Sequence, residues 1–122
     1  MLLNDAVLAL DAVKALVKKE IPISLAFRLE KIAEVLQPDV TRFYELRNGL
    51  IKEKGEPVVD EQGNVTRYIL SKENQDYVNK EIDNLTQVPV AFPEEYKISL
   101  SSIENVVLEG TLALSLKSIL KD

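Results

Sequence analysis

The sequence has 122 residues, of which 46% are hydrophobic and 29% are charged, and this composition is typical of a single globular domain. Twenty acidic residues against fifteen basic ones give a net charge of −5, which argues against a chain that follows a nucleic-acid backbone. The sequence contains no cysteine and no histidine, which excludes disulfides, thiol nucleophiles, the usual zinc sites and histidine acid–base catalysis.

The first predicted element is a helix from residue 5 to about residue 20. Its apolar residues recur every three or four positions, as expected for one buried helix face: Ala6, Leu10, Val13, Leu16 and Val17. Asn4 or Asp5 would cap the first turn, and Pro22 would stop the helix because it disfavours helical geometry at the residue before it. The first residues also lack the pattern of a secretory signal, and no apolar run could span a bilayer, so we expect a cytoplasmic location.

The second predicted helix, over residues 25–54, carries the most informative pattern. Its seam alternates in steps of four and three, as in a coiled coil: Leu25, Leu29, Ile32, Leu36, Asp39, Phe43, Leu46 and Leu50. Burying each apolar seam residue is worth about 1.5–3 kcal/mol, so this face must meet another surface, either within the chain or on another copy. Ser24 is the expected N-cap, Pro38 predicts a kink or break in a helix that keeps one general direction, and Gly55 predicts its end.

A β-hairpin and a third helix are predicted to follow. Two short β-prone runs within residues 56–70 flank Gly63 and Asn64, which predicts a hairpin with a loop of four or five residues. Ser71 would cap a helix that ends near Thr86. Residues 88–93 contain two prolines and predict an extended crossing segment, while residues 96–100 and 104–109 predict two strands. A last helix is expected after Gly110, with one apolar face: Leu112, Leu116, Ile119 and Leu120.

These elements together predict a single α+β domain over residues 1–122. The fold is expected to be mostly helical, with an antiparallel helical hairpin or three-helix layer, a β-hairpin and a small C-terminal β-segment.

Carboxylates are the only plentiful groups that could do chemistry. The adjacent pairs Asp60–Glu61 and Glu94–Glu95 would not converge on one site, because neighbouring side chains rarely point the same way. The loop around Asp60 lacks the ligand spacing of a calcium-binding loop, and the sequence has no glycine-rich phosphate loop and no nucleophile elbow around a serine. We therefore predict no catalytic residue, no cofactor, no metal and no nucleic-acid or membrane partner.

The candidate functional residues are instead apolar residues that could meet a protein partner. Six come from the seam of the second helix and one from the hairpin, because tyrosine is enriched at interfaces: Leu29, Ile32, Leu36, Phe43, Leu46, Leu50 and Tyr68.

The order of four segments resembles a family of small uncharacterised proteins encoded by bacteriophages, grouped in part under a domain of unknown function. The segments are residues 19–23, 43–55, 60–64 and 107–114, and they extend over nearly the whole chain. The resemblance implies a viral origin and a non-enzymatic role, and it supplies no catalytic residue. The expected function is a phage structural or assembly protein, self-associating or bound to other phage proteins, in the host cytoplasm or the virion. The alternative is a phage-encoded modulator that uses its acidic surface to bind a basic host protein.

Overall fold

The computed structural model describes residues 1–103 and 110–121. It confirms the predicted mostly helical α+β fold. The helices are α1 (Leu3–Leu16), α2 (Ile23–Lys54), α3 (Lys72–Thr86) and α4 (Gly110–Leu116), and the strands are β1 (Glu56–Val59), β2 (Val65–Ile69), β3 (Ile98–Ser99) and β4 (Leu120–Lys121). Short 3-10 turns lie at Glu94–Tyr96, Leu100–Ser102 and Lys117–Ile119.

Helix α2 is the longest of the described helices, and both α1 and α3 pack against it. Its 32 residues would extend over about 48 Å, and they run without a break through Pro38. Pro38 and Glu34, whose carbonyl loses its usual helical donor, both lie on the exposed face, where water can replace the missing bond. The expectation that Ser24 caps this helix is wrong: Pro22 is the N-cap residue, and Ser24 lies within the first turn. Pro22 has a φ of −57° and a ψ of 143°, and α2 has no side-chain capping hydrogen bond at this end.

Helices α1 and α3 cover successive halves of α2. The connection over residues 17–22 is short, so α1 packs antiparallel to the first half of α2. At the far end, the Asn74 side-chain amide donates to the Lys54 carbonyl at 3.1 Å, and α3 then runs back along the second half. After α3, the extended segment at Val88 pairs with the start of the chain through a 2.8 Å hydrogen bond from the Leu3 amide.

The described C-terminal elements pack mainly against α1, with further contacts to α2. Strands β3 and β4 form a parallel pair in which Ile98 lies opposite Leu120, and the Arg28 guanidinium donates to the Lys97 carbonyl at 3.2 Å. The predicted strand over residues 96–100 is shortened to two residues, because 3-10 turns flank it on both sides. The expectation that Leu120 belongs to the last helix is wrong, since α4 ends at Leu116. The strand predicted over residues 104–109 lies outside the described residues.

The hydrophobic core is concentrated under the first half of α2. Its cluster is apolar throughout and joins α1, α2 and the C-terminal elements: Ala6, Ala9, Leu10, Ala12, Val13, Leu16, Leu25, Leu29, Ile32, Leu36, Val40, Ile98, Ile103, Leu116 and Ile119. Beyond Val40, helices α2 and α3 contribute only Phe43 and Val78 as buried side chains. The first half of α2 therefore buries many more side chains than the second half.

The β-hairpin forms as predicted at the end of α2, with a five-residue loop between Val59 and Val65. The Asp60 carboxylate accepts hydrogen bonds from the backbone amides of Gln62 and Asn64, both at 2.9 Å. Gly63 has a φ of +83°, a conformation that favours glycine. Ser71 accepts a 3.2 Å hydrogen bond from the Asn74 amide, which confirms its predicted role as the cap of α3.

Candidate interaction surface

The first half of the seam on α2 is buried inside one copy of the chain. Leu25, Leu29, Ile32 and Leu36 are each no more than 4% exposed, and α1 packs against this part of α2. The predicted continuation through Asp39 is wrong, because the buried residue of the next turn is Val40. An α-helix has 3.6 residues per turn, so a second step of four keeps the apolar stripe on the covered face.

Four of the predicted interaction residues therefore lie in the interior. Leu29, Ile32, Leu36 and Phe43 are 7% exposed or less, and they pack within the chain rather than facing a partner. The seam could have been covered within the chain or by another copy, and these four residues are covered within the chain. Their burial stabilises the fold and leaves no apolar surface of theirs for another protein.

The second half of the seam remains open. Leu46 is 53% exposed and Leu50 is half-buried, and both line a groove of about 340 Å³ between α2 and α3. The groove has apolar residues on both walls and a few polar ones at its rim: Leu46, Arg47, Leu50, Glu81, Ile82, Asn84, Leu85 and Val88. We call this surface the α2–α3 groove.

The composition of α3 explains why the groove is open. Its apolar stripe is narrow, with Val78, Ile82 and Leu85 the only aliphatic residues at helical spacing along its length. Val78 is buried against α2, whereas Ile82 and Leu85 are only half-covered. The C-terminal elements that could have covered this end pack on the α1 side instead.

Two contacts fix the start of α3 on the end of α2 and so set the shape of the groove. One is the hydrogen bond from Asn74 to the Lys54 carbonyl. The other is the Lys54 ammonium, which lies 5.1 Å from the centroid of the Tyr77 ring, within range of a cation–π interaction. The groove walls are therefore held by contacts at one end and by the chain crossing at Val88 at the other.

Tyr68 does not belong to this groove. It is half-buried on β2 and lies beside Gly55, where α2 gives way to the hairpin. Gly55 is nine residues beyond Leu46, which corresponds to about 13 Å along the helix axis. The structure thus brings together Leu46 and Leu50 from the predicted set and separates them from Tyr68.

Sequence reasoning missed six residues of the groove as site residues: the polar residues Arg47, Glu81 and Asn84 and the apolar residues Ile82, Leu85 and Val88. Ile82 and Leu85 had a detectable signal, because they continue the apolar stripe of α3, but that stripe was assigned to packing. Val88 had no such signal, because it lies after the end of α3. It reaches the groove through the path of the chain that follows the helix, and it is 45% exposed there. Periodicity identifies an apolar face on one helix, whereas a groove depends on how two helices pack against each other.

Two acidic residues in the described part of the chain make local contacts. Asp60 is used within its own turn, and Glu94 pairs with Lys97 at 2.7 Å. Within residues 1–103 and 110–121, no three carboxylates converge in a way that could hold a metal ion, and every buried side chain is apolar. None of the helices in this part of the chain is both long enough and apolar enough to cross a membrane.

Comparisons with protein-family models, with curated proteins and with solved structures find no match for this chain. The resemblance to bacteriophage proteins therefore stays a prediction. The α2–α3 groove is identified from the packing of α2 and α3 alone.

Proposed function

We propose that this protein is a non-enzymatic interaction protein that binds a protein partner through the α2–α3 groove. The observation that carries this proposal is the uneven cover of one continuous helix: the seam is buried up to Phe43 and open from Leu46 onwards. Exposed apolar residues that cluster in a concave surface, with polar residues at its rim, are typical of protein–protein interfaces.

The position of the groove between two helices favours a helix as the element that fills it. Two antiparallel helices that share an open apolar face present ridges and a central furrow into which a third or fourth helix can pack. Partner side chains placed between Leu46 and Leu85 would be removed from water on both sides. This is helix-mediated contact of the kind that the seam predicts.

The resemblance to bacteriophage proteins is the basis for proposing where this protein acts. A small phage protein with this surface would act as a structural or assembly component, in the cytoplasm of the infected host or in the virion. A host protein as the partner remains the alternative occupant of the same groove. With either partner, the same groove residues would supply the binding free energy.

The test is the substitution Leu46→Asp in an affinity capture experiment. The tagged chain is incubated with a lysate of the cells that make it, and each retained protein, including untagged copies, is quantified by mass spectrometry. A charge at the centre of an apolar interface costs its desolvation, so we expect capture to fall by about tenfold or more. The melting temperature should stay near that of the unmodified chain, because Leu46 is already 53% exposed.

Phe27→Asp is the matched control. Phe27 lies on the same helix and is 60% exposed, but it faces solvent far from the groove. This substitution should leave the captured proteins unchanged. If Leu46→Asp retains the same partners in the same amounts as the control, the groove is not the binding surface and the proposal is wrong.

A further inference from the structure

We infer that the occupant of the α2–α3 groove is the same groove of a second copy, and that the two copies form an antiparallel four-helix bundle. This inference rests on the proposed function and names its partner. The two helices that border the groove carry charges of opposite sign, so each can pair with the other helix of a second copy.

The helices that form the two walls carry opposite net charges, and the charged side chains that line the groove itself are Arg47 on α2 and Glu81 on α3. Over residues 42–54 of α2, four basic side chains against two acidic ones leave a net charge of +2: Arg42, Arg47, Lys52 and Lys54, with Glu45 and Glu53. Over α3, two basic side chains against four acidic ones leave a net charge of −2: Lys72 and Lys80, with Glu73, Asp76, Glu81 and Asp83. A surface with one basic and one acidic wall is complementary to itself when each wall meets the other.

This complementarity selects one of the two symmetric ways to stack the helix pairs. If the two-fold axis runs parallel to the helices, α2 of one copy lies over α3 of its partner, and every neighbouring pair of helices is antiparallel. If the axis is perpendicular to the helices, α2 lies over α2, and the basic walls face each other. Opposite charges favour the first arrangement, and like charges disfavour the second.

Arg47 and Glu81 are the side chains that would report this pairing. Both line the groove, yet among the described residues the only ion pair joins Lys97 to Glu94, so Arg47 and Glu81 do not pair with each other within one copy. In the inferred bundle, the basic wall that contains Arg47 faces the acidic wall that contains Glu81 of the second copy, and the symmetry axis makes this contact occur twice.

The size of the surface sets how strong this association should be. The facing helices overlap over about 20 Å in length and about 20 Å in width, or roughly 400 Å² on each copy. The total of about 800 Å² is below the roughly 1,200–2,000 Å² that specific, stable interfaces bury. The dimer should therefore be weak and should depend on concentration, and sedimentation equilibrium from low micromolar concentration to the millimolar range is the appropriate measurement.

The decisive experiment mixes two variants, Arg47→Glu and Glu81→Arg. Each variant alone places like charges at both contacts between residues 47 and 81, and we expect its self-association to fall by about tenfold or more relative to the unmodified chain. In an equimolar mixture, the introduced glutamate of the first variant meets the introduced arginine of the second at one contact. At the other contact, Glu81 of the first variant meets Arg47 of the second, so heterodimers should form with close to the original affinity.

Circular dichroism shows whether each variant keeps its helices. If Arg47→Glu, at a half-buried position, fails to fold, the self-association of the unmodified chain is measured from low to high ionic strength instead, and an affinity that does not fall as salt rises overturns the charge pairing.

The results separate the inference from the proposed function. A mixture that associates no better than either variant alone overturns the bundle, because charge pairing within one copy cannot be restored by mixing. If the unmodified chain stays monomeric over the whole range while Leu46→Asp still abolishes capture of another protein, the groove binds a different partner. In that case the inference fails and the proposed function stands.

Discussion

Gly55 shows how one residue joins two elements of this fold. The glycine that follows a helix often adopts a left-handed conformation, but Gly55 has a φ of −96°, which any residue can adopt. Its small size is required for another reason. A Cβ atom at this position would lie 2.7 Å from the Ile51 carbonyl oxygen and 2.9 Å from the Cβ of Tyr68, so the hairpin approaches the helix end too closely for a side chain.

We expect Gly55→Ala to destabilise the protein by about 1–3 kcal/mol, the usual cost of forcing extra volume into a tight contact. Gly49→Ala is the matched control. Gly49 lies in the same helix, and a methyl group added there would have nothing within 4 Å, so alanine should stabilise the helix by about 0.5–1 kcal/mol. Urea denaturation at a chain concentration that keeps the protein monomeric measures both. Equal effects of the two substitutions would contradict the close approach at Gly55.

At the scale of the element, α2 continues through a proline because its other interactions outweigh the local cost. An interior proline removes one hydrogen bond and costs about 3 kcal/mol. Leu36 and Val40 lie on either side of Pro38 in the sequence and are both buried in the core, so tertiary packing holds the two helical segments in line. The Gln37 side-chain amide also donates to the Thr41 hydroxyl at 2.9 Å across the same turn.

Pro38→Ala should therefore stabilise the protein, by about 1–3 kcal/mol, because it restores a helical hydrogen bond at an exposed position. Pro22→Ala is the control with the opposite sign. Pro22 precedes the first helical residue, where no helical bond is missing, so its loss should cost about 0.4–1 kcal/mol through the greater freedom of the unfolded chain. Chemical denaturation compares the two. A stability that falls with Pro38→Ala would mean that the proline shapes the helix in a way that packing needs.

At the scale of the whole molecule, many buried side chains surround the first half of α2 and few surround its second half. Fifteen buried residues form the core cluster beneath α1, the first half of α2 and the C-terminal elements. Around the second half of α2, by contrast, α3 supplies only Val78 to the buried set, and most side chains of the hairpin are exposed. Local stability follows the amount of buried apolar surface, so the two ends should open with different free energies.

Hydrogen exchange followed by mass spectrometry tests this difference. At low concentration we expect the amides of α1 and of the first half of α2 to exchange most slowly, and those of α3 and the hairpin to exchange fastest. At high concentration, association through the groove should slow exchange in α3 and in the second half of α2 and leave α1 unchanged. Uniform protection of α1 and α3 in the dilute protein would contradict the unequal cover.

Much of the element order could be predicted because its signals are local. The cap at Ser71 and the five-residue hairpin loop depend on residues within a few positions of each other, and both form as expected. The predictions that failed have both local and distant causes. Helix α2 begins one residue before Ser24, so Pro22 and not Ser24 is its N-cap residue. Leu120 leaves the last helix to pair with Ile98, which is more than twenty residues away in the sequence, and no local pattern predicts that contact.

The sequence by itself determined that α2 carries an apolar seam, because the spacing of residues along a helix fixes which side chains share a face. It also contained the Leu46 and Leu50 half of the candidate site. Only the tertiary structure decided which half of the seam is covered, since burial depends on elements that arrive from remote parts of the chain. The C-terminal elements pack beside Ile32 rather than Leu46, and that placement turns a uniform stripe into a core at one end and an open groove at the other.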